Sequence, residues 1–182
     1  GKNILFDPFI SPNELARDID INNIPCDYML ISHGHEDHVA DVEAIAKRTG
    51  AKIVSNFEIV TWFQSKGVKN GHPMNIGGSW EFDFGTVKCV NAVHSSVLPD
   101  GTYGGKPMGF VITYEEDGVE KNIYYVEYTE GARTSWDTIH QFTLKRCAEI
   151  TKEKGYKFFD VISKDEKTVY LETDVRQVSI AS

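Results

Sequence analysis

Three imidazoles and two carboxylates fall within six consecutive residues, His33-Gly34-His35-Glu36-Asp37-His38. Imidazole nitrogen and carboxylate oxygen are the ligands that suit zinc, iron or manganese. A loop leaving a strand end can aim His33 and His35 at one metal. The turn that follows can aim Asp37 and His38 at a second point nearby. Gly34 removes a side chain where the backbone between two ligands must bend tightly. The chain has six histidines, and three of them in six positions is not the pattern of a solvated polar loop. His94 is the next candidate. It ends an alternating run, precedes Ser95-Ser96, and from a strand mouth can complete a three-imidazole set with His33 and His35.

The elements that must position these groups are legible from periodicity. Asn3–Phe6 is a short apolar strand ended by Asp7-Pro8. Tyr28–Ser32 is a continuous apolar run, as a buried strand requires, and the histidine segment follows it directly. Val39, Val42, Ile45 and Ala46 recur at helical spacing, and Gly50 is placed to end that helix. Lys52–Ser55 returns as a strand, and Glu58–Lys66 is a short helix stopped by Gly67. Ser79–Phe84 and Thr86–Val93 alternate around Gly85 as paired strands, with His94 at the exit. Gly109–Glu115 and Asn122–Thr129 flank the hairpin signal Asp117-Gly118. Beyond them, Thr134 caps a helix carrying Trp136, Ile139, Thr143, Cys147 and Ile150 on one stripe. Tyr156–Ser163 and Thr168–Thr173 are strands joined by a polar turn, which makes this last unit strand–helix–strand–strand.

Composition bounds the function. The chain has 182 residues, 41% hydrophobic and 25% charged, with 19 basic and 27 acidic side chains and a net charge of -8. That acidity argues against nucleic acid and anionic membrane as partners. No apolar run approaches the roughly 20 residues that cross a bilayer. Three widely spaced cysteines, Cys26, Cys89 and Cys147, read as reduced thiols of a cytoplasmic protein, not a disulfide framework. The chain opens Gly-Lys-Asn, which leaves an upstream segment open. All six prolines lie before residue 108 and thirteen of 15 glycines before residue 119. Residues 1–126 are acidic and turn-rich, residues 127–182 nearly neutral and turn-poor. Two units meeting at 126/127, or long elements that need few turns, both account for that break.

His-x-His-x-Asp-His after an apolar strand resembles the signature of the metallo-β-lactamase superfamily. The likeness extends through Ile4–Ile10, Ala46–Ala51, Ser55–Ile59, His72–Gly78, Ala92–Ser96 and Asp100–Gly105. Together these look like one bacterial branch of metal-dependent hydrolases related to ascorbate-phosphate lactonases, over residues 1 to about 125. The resemblance implies an αββα sandwich, incomplete here, with a metal pair at one edge of the sheets. It implies that His33, His35 and His94 hold the first metal and that Asp37 and His38 begin the second site. A metal-bound water is then the nucleophile, with Asp37 orienting or deprotonating it. Residues 144–159 bear a weaker likeness to a segment of small bacterial envelope proteins of unknown function, which transfers no activity.

The chain also departs from that pattern. The family usually carries strands ahead of the point where this chain opens. It continues from Tyr124-Tyr125 into Ala-Gly-Asp-Thr, whose Asp bridges the metals. Here Val126-Glu127-Tyr128-Thr129 follows, and a phenol of pKa about 10 is a poor substitute for a carboxylate. The last metal-binding His of the family has only His140 to match it, in a helical context that fits a core-edge or surface role better. The reading is therefore a metal-dependent hydrolase of a small ester, lactone or phosphorylated metabolite, holding zinc, or else manganese or iron. The alternative is a non-catalytic, truncated or chimeric scaffold. A small molecule is the expected partner, and a second copy covering exposed strands is left open.

Overall fold

The computed structural model describes residues 1–116, 119–127, 136–155, 160–164, 168–173 and 176–181. They form two compact units, Gly1–Gly78 with Val93–Met108, and Ser79–Ala92 with Gly109–Ser182.

The first unit is built on a four-stranded parallel sheet in the order β1 (Ile4–Phe6), β2 (Tyr28–Leu30), β3 (Lys52–Ser55), β4 (Gly71–Pro73). One rung runs Leu5, Met29, Ile53, Gly71. Every residue of β2 is buried, the condition that produces a continuous apolar run in a parallel sheet. Three helices serve this sheet: α1 (Glu36–Val39), α2 (Val42–Thr49) and α3 (Phe57–Ser65). Val42, Ile45 and Ala46 of α2 and Ile59, Val60 and Phe63 of α3 join Met29, Ile31, Ile53 and Leu98 in one core. Each such aliphatic or aromatic side chain contributes roughly 1.5–3 kcal/mol by leaving water.

Two local departures from expectation have physical causes. The single helix expected through Val39–Ala46 is broken between α1 and α2. There the buried Asp41 accepts from the backbone N–H groups of Ile10 (2.6 Å) and Ser11 (2.9 Å), and its own N–H donates to the Pro8 carbonyl. Gly50 then ends α2 at φ 73°, as its position predicts. The second departure is β4, whose Gly-His-Pro reads as a turn. Pairing with the buried strand β3 makes it a strand, and the proline is tolerated at the sheet edge.

Among the described residues the second unit holds a mixed seven-stranded sheet and one helix. The strands are β5 (Ser79–Phe82), β6 (Gly85–Asn91), β7 (Met108–Glu116), β8 (Val119–Glu127), β9 (Asp160–Lys164), β10 (Thr168–Thr173) and β11 (Arg176–Ala181). Their order is β5-β6-β7-β8-β11-β10-β9. The expected pairings around Gly85 and across the β7–β8 hairpin are both antiparallel. The helix α4 (Trp136–Glu153) buries Thr143, Cys147 and Ile150, and Gly155 follows at φ 75°. β11 is an addition to the strand–helix–strand–strand expectation. It alternates only through Val178 and Ile180, a signal too short to read, and forms by pairing parallel to β8 and antiparallel to β10. Asp117, Gly118, Tyr128, Thr134 and residues 156–159 and 165–167 lie outside the described residues. The class is α/β, as expected, with one parallel and one mixed sheet.

Candidate metal centre

The histidine segment leaves the end of β2 and turns at once into α1, with His35 in the extended conformation that precedes the first helical residue. His33 is 1% exposed, His35 half-buried and His94 exposed. One ligand nitrogen from each of these three rings lies within 4.8 Å of the others. His33 Nε2 is 3.0 Å from His35 Nδ1, and His94 Nε2 is 3.3 Å from the same atom. The three ring centroids are 4.6–5.0 Å apart, packed nearly edge to face. The structure thus brings together the two separated stretches on which the three-imidazole reading depends.

The remaining candidates surround this set. The His38 ring lies 4.0 Å from that of His33, and its Nε2 is 3.7 Å from Asp37 Oδ2. Asp37 is half exposed at 54%. Ser95 Oγ stands 3.5 Å from His35 Nε2, at the limit of hydrogen bonding. His72 lies on β4, where burial first and Lys52 second lower its pKa. His140 falls on α4.

Asp7 before Pro8 reads in the sequence as a structural residue tying a turn beneath the metal loop, and the structure places it there; the hydrogen-bonded path from it to the rings was not legible. Asp7 sits just past β1 at φ 40°, a left-handed conformation that is sterically costly for a non-glycine residue. Its Oδ1 accepts from the Ser32 backbone N–H (2.7 Å) and its Oδ2 from the Ser32 hydroxyl (2.6 Å). Asp7 Oδ2 is also 3.2 Å from His38 Nδ1. Because the Ser32 hydroxyl donates to Asp7, it accepts from His33, whose Nδ1 is 2.9 Å away. That places the proton of His33 on Nδ1 and leaves the Nε2 lone pair facing His35 and His94. Such a carboxylate-backed tautomer is how metal-ligating histidines are oriented. The sequence offers only Asp-Pro after a strand and a serine before His33 as signals.

Gly34 has a different reason from the bend expected of it. A Cβ there would meet Leu98 Cδ2 at 3.1 Å and Ser96 Oγ at 3.4 Å, so the loop needs glycine for close approach. Its N–H donates to Ser96 Oγ (3.0 Å), and that hydroxyl donates to the Gly104 carbonyl (2.8 Å).

Burial disfavours the charged form of two of these rings, His33 and His94. Burial, reinforced by His38, His35 and His94, pushes His33 down to about 2. Burial, then His35 and His38, also lower His94, with Asp37 opposing. A neutral imidazole presents the lone pair that a cation needs, and crowding of several rings is relieved when a cation lies between them. The donor set therefore fits a divalent ion of the zinc class.

Three convergent imidazoles that could hold a metal ion, in an α/β fold, are the arrangement of a metal-binding domain of the metallo-β-lactamase type. The chain belongs to the β-lactamase superfamily: residues 2–142 match the family model described as the beta-lactamase superfamily domain. A protein of Flavobacterium johnsoniae described as a metal-dependent hydrolase is 60% identical over 124 residues, 68% of this chain and 53% of that one. A protein of Christiangramia forsetii with the same description is 57% identical over 122 residues, 66% of this chain and 52% of its own. The chain spans about half the length of these curated relatives. Among solved structures, a metallo hydrolase from the archaeon Ignicoccus hospitalis superposes with a TM-score of 0.58 at 26% identity, covering 77% of this chain and 69% of that one.

Proposed function

We propose that the chain is the metal-binding part of a metal-dependent hydrolase, with the ion held by His33, His35 and His94 and flanked by His38 and Asp37. The observation that carries this reading is the convergence of three ring nitrogens within 4.8 Å from stretches about sixty residues apart. When bound, a divalent ion supplies Lewis acidity and a water whose pKa falls towards neutrality, which bulk water lacks at pH 7. Zinc is the first choice for an imidazole set, with manganese or iron as alternatives. His33 holds its proton on Nδ1 through Ser32 and offers Nε2. Asp37, a half-exposed carboxylate beside the cluster, accepts the proton of the attacking water. The substrate class is a small ester, lactone or phosphorylated metabolite, supported by the description of the relatives as hydrolases and by the lactonase resemblance. We place the protein in the cytoplasm on its cysteine usage. The test is turnover of generic phosphodiester and lactone substrates with added zinc or manganese, against a His35→Ala control. Turnover lost in the variant supports the reading. Equal rates favour the second reading, a non-catalytic scaffold, whose support is Tyr128 in place of the bridging carboxylate.

A further inference from the structure

A second feature of the first unit lies beside the imidazole loop and is used by nothing above. It is a cleft of about 370 Å³ lined by Asn56, Glu58, Asn75, Ile76, Tyr103, Lys106 and Met108. That volume falls within the range of small-molecule sites. The cleft wall is bonded to the backbone on both sides of His33. The Met108 N–H donates to the Ser32 carbonyl (3.0 Å). On the other side, Asn56 Nδ2 donates to the Gly104 carbonyl (2.7 Å), which also receives the Ser96 hydroxyl that accepts from Gly34.

The lining is chemically uneven. Lys106 supplies a cation, Tyr103 and Asn75 supply further donors, and Glu58 supplies one carboxylate. Lys106 and Glu58 line the same cleft and, among the described residues, form no ion pair with each other. Gly105, next to Lys106, packs so tightly on Asn56 and the Glu58 carboxylate that a Cβ there would collide with both. A cation and an anion held apart in one cleft select a ligand that carries both an acceptor and a donor. Ile76 and Met108 provide apolar lining against which a short carbon skeleton can pack.

We infer that this cleft binds the substrate end bearing an oxyanion, a carboxylate or a phosphate, next to a hydroxyl. Lys106 takes the oxyanion with help from Tyr103 and Asn75, and Glu58 accepts from the hydroxyl. As a substrate subsite this rests on the proposed hydrolase reading, but the binding itself does not. It narrows the substrate class to anionic, hydroxylated compounds.

The test is calorimetric titration of the metal-free full chain, so that no bound cation captures the anion. Glycerol 3-phosphate and glycerate are the two oxyanion arms, with glycerol and methyl phosphate as controls. At least one oxyanion arm should bind, and glycerol should bind at least tenfold more weakly. Methyl phosphate should bind at least fivefold more weakly than glycerol 3-phosphate if phosphate is the preferred oxyanion, and acetate more weakly than glycerate if carboxylate is. Lys106→Met should lose at least tenfold in affinity, and Lys106→Arg should keep most of it. Lys106 is exposed, and an unchanged thermal midpoint will show that the variants fold. Absence of binding by both arms, or equal binding by wild type and Lys106→Met, overturns the inference. Metal retention and turnover with no loss in Lys106→Met sink the subsite alone. Anion binding in a chain that never retains metal sinks the hydrolase reading and leaves the cleft.

Discussion

At the scale of single residues, the distinctive feature is the path from Asp7 through Ser32 to His33. It determines which nitrogen of a buried ring is free. Replacing Asp7 with Asn removes the charge that receives the Ser32 hydroxyl and faces His38. Outer partners of this kind typically change metal affinity 10- to 100-fold. Asp7→Asn should therefore weaken zinc affinity by about that factor in competition with a chelating dye, and unchanged affinity would show that the path has no role. The pH dependence has a definite sign. The unfolded chain protonates His33 near its ordinary value of 6.5, whereas the folded chain resists down to about 2. Above pH 6.5 both states are neutral and the difference vanishes. Below it the unfolded state binds the additional proton, so stability falls with pH, by at most about 1.4 kcal/mol per pH unit for one group. The metal-free chain should melt at a lower temperature at about pH 5 than at about pH 7.5. Equal midpoints would mean that the ring is not held neutral.

At the scale of elements, Asn56 joins two duties. Its Oδ1 caps α3 through the Ile59 N–H (2.9 Å), and its amide binds the carbonyls of Gly104 (2.7 Å) and Lys106 (3.3 Å). Asn56→Ala should cost about 1 kcal/mol for the cap and about 1–3 kcal/mol for the stranded carbonyls. Asn56→Asp keeps the cap and loses the donor, so its urea midpoint should fall between those of wild type and Ala. If all three midpoints coincide, the loop is held by something else. Elements like β2, β3 and α3 were legible because burial writes itself into apolar runs and helical spacing. β4 and β11 were not, because each is a strand only through its neighbour: Gly71–Pro73 through β3, Arg176–Ala181 through β8 and β10. The site divides in the same way. His33, His35 and His94 announce themselves by type and spacing. Asp7 is legible only as a structural turn residue, and Ser32 and Ser96 not at all, because common polar residues acquire their meaning from contacts made across 25 and 62 positions of sequence.

At the scale of the molecule, the chain matches its superfamily over residues 2–142 yet spans about half of its curated relatives. No helix among the described residues is long and apolar enough to cross a membrane. The edge strand β1 offers a surface that a second copy could pair with, and light scattering that reads a monomer removes that partner. The central claim concerns the three imidazoles, and we propose that the site holds one ion tightly, because the sequence has Tyr128 where the resemblance expects a bridging carboxylate. Elemental analysis of the chain, purified without chelator and then dialysed, is the most direct measurement. One equivalent of a divalent transition metal per chain, lost in His35→Ala, is the predicted result. Two retained equivalents, none, or an equivalent that survives His35→Ala would contradict the account.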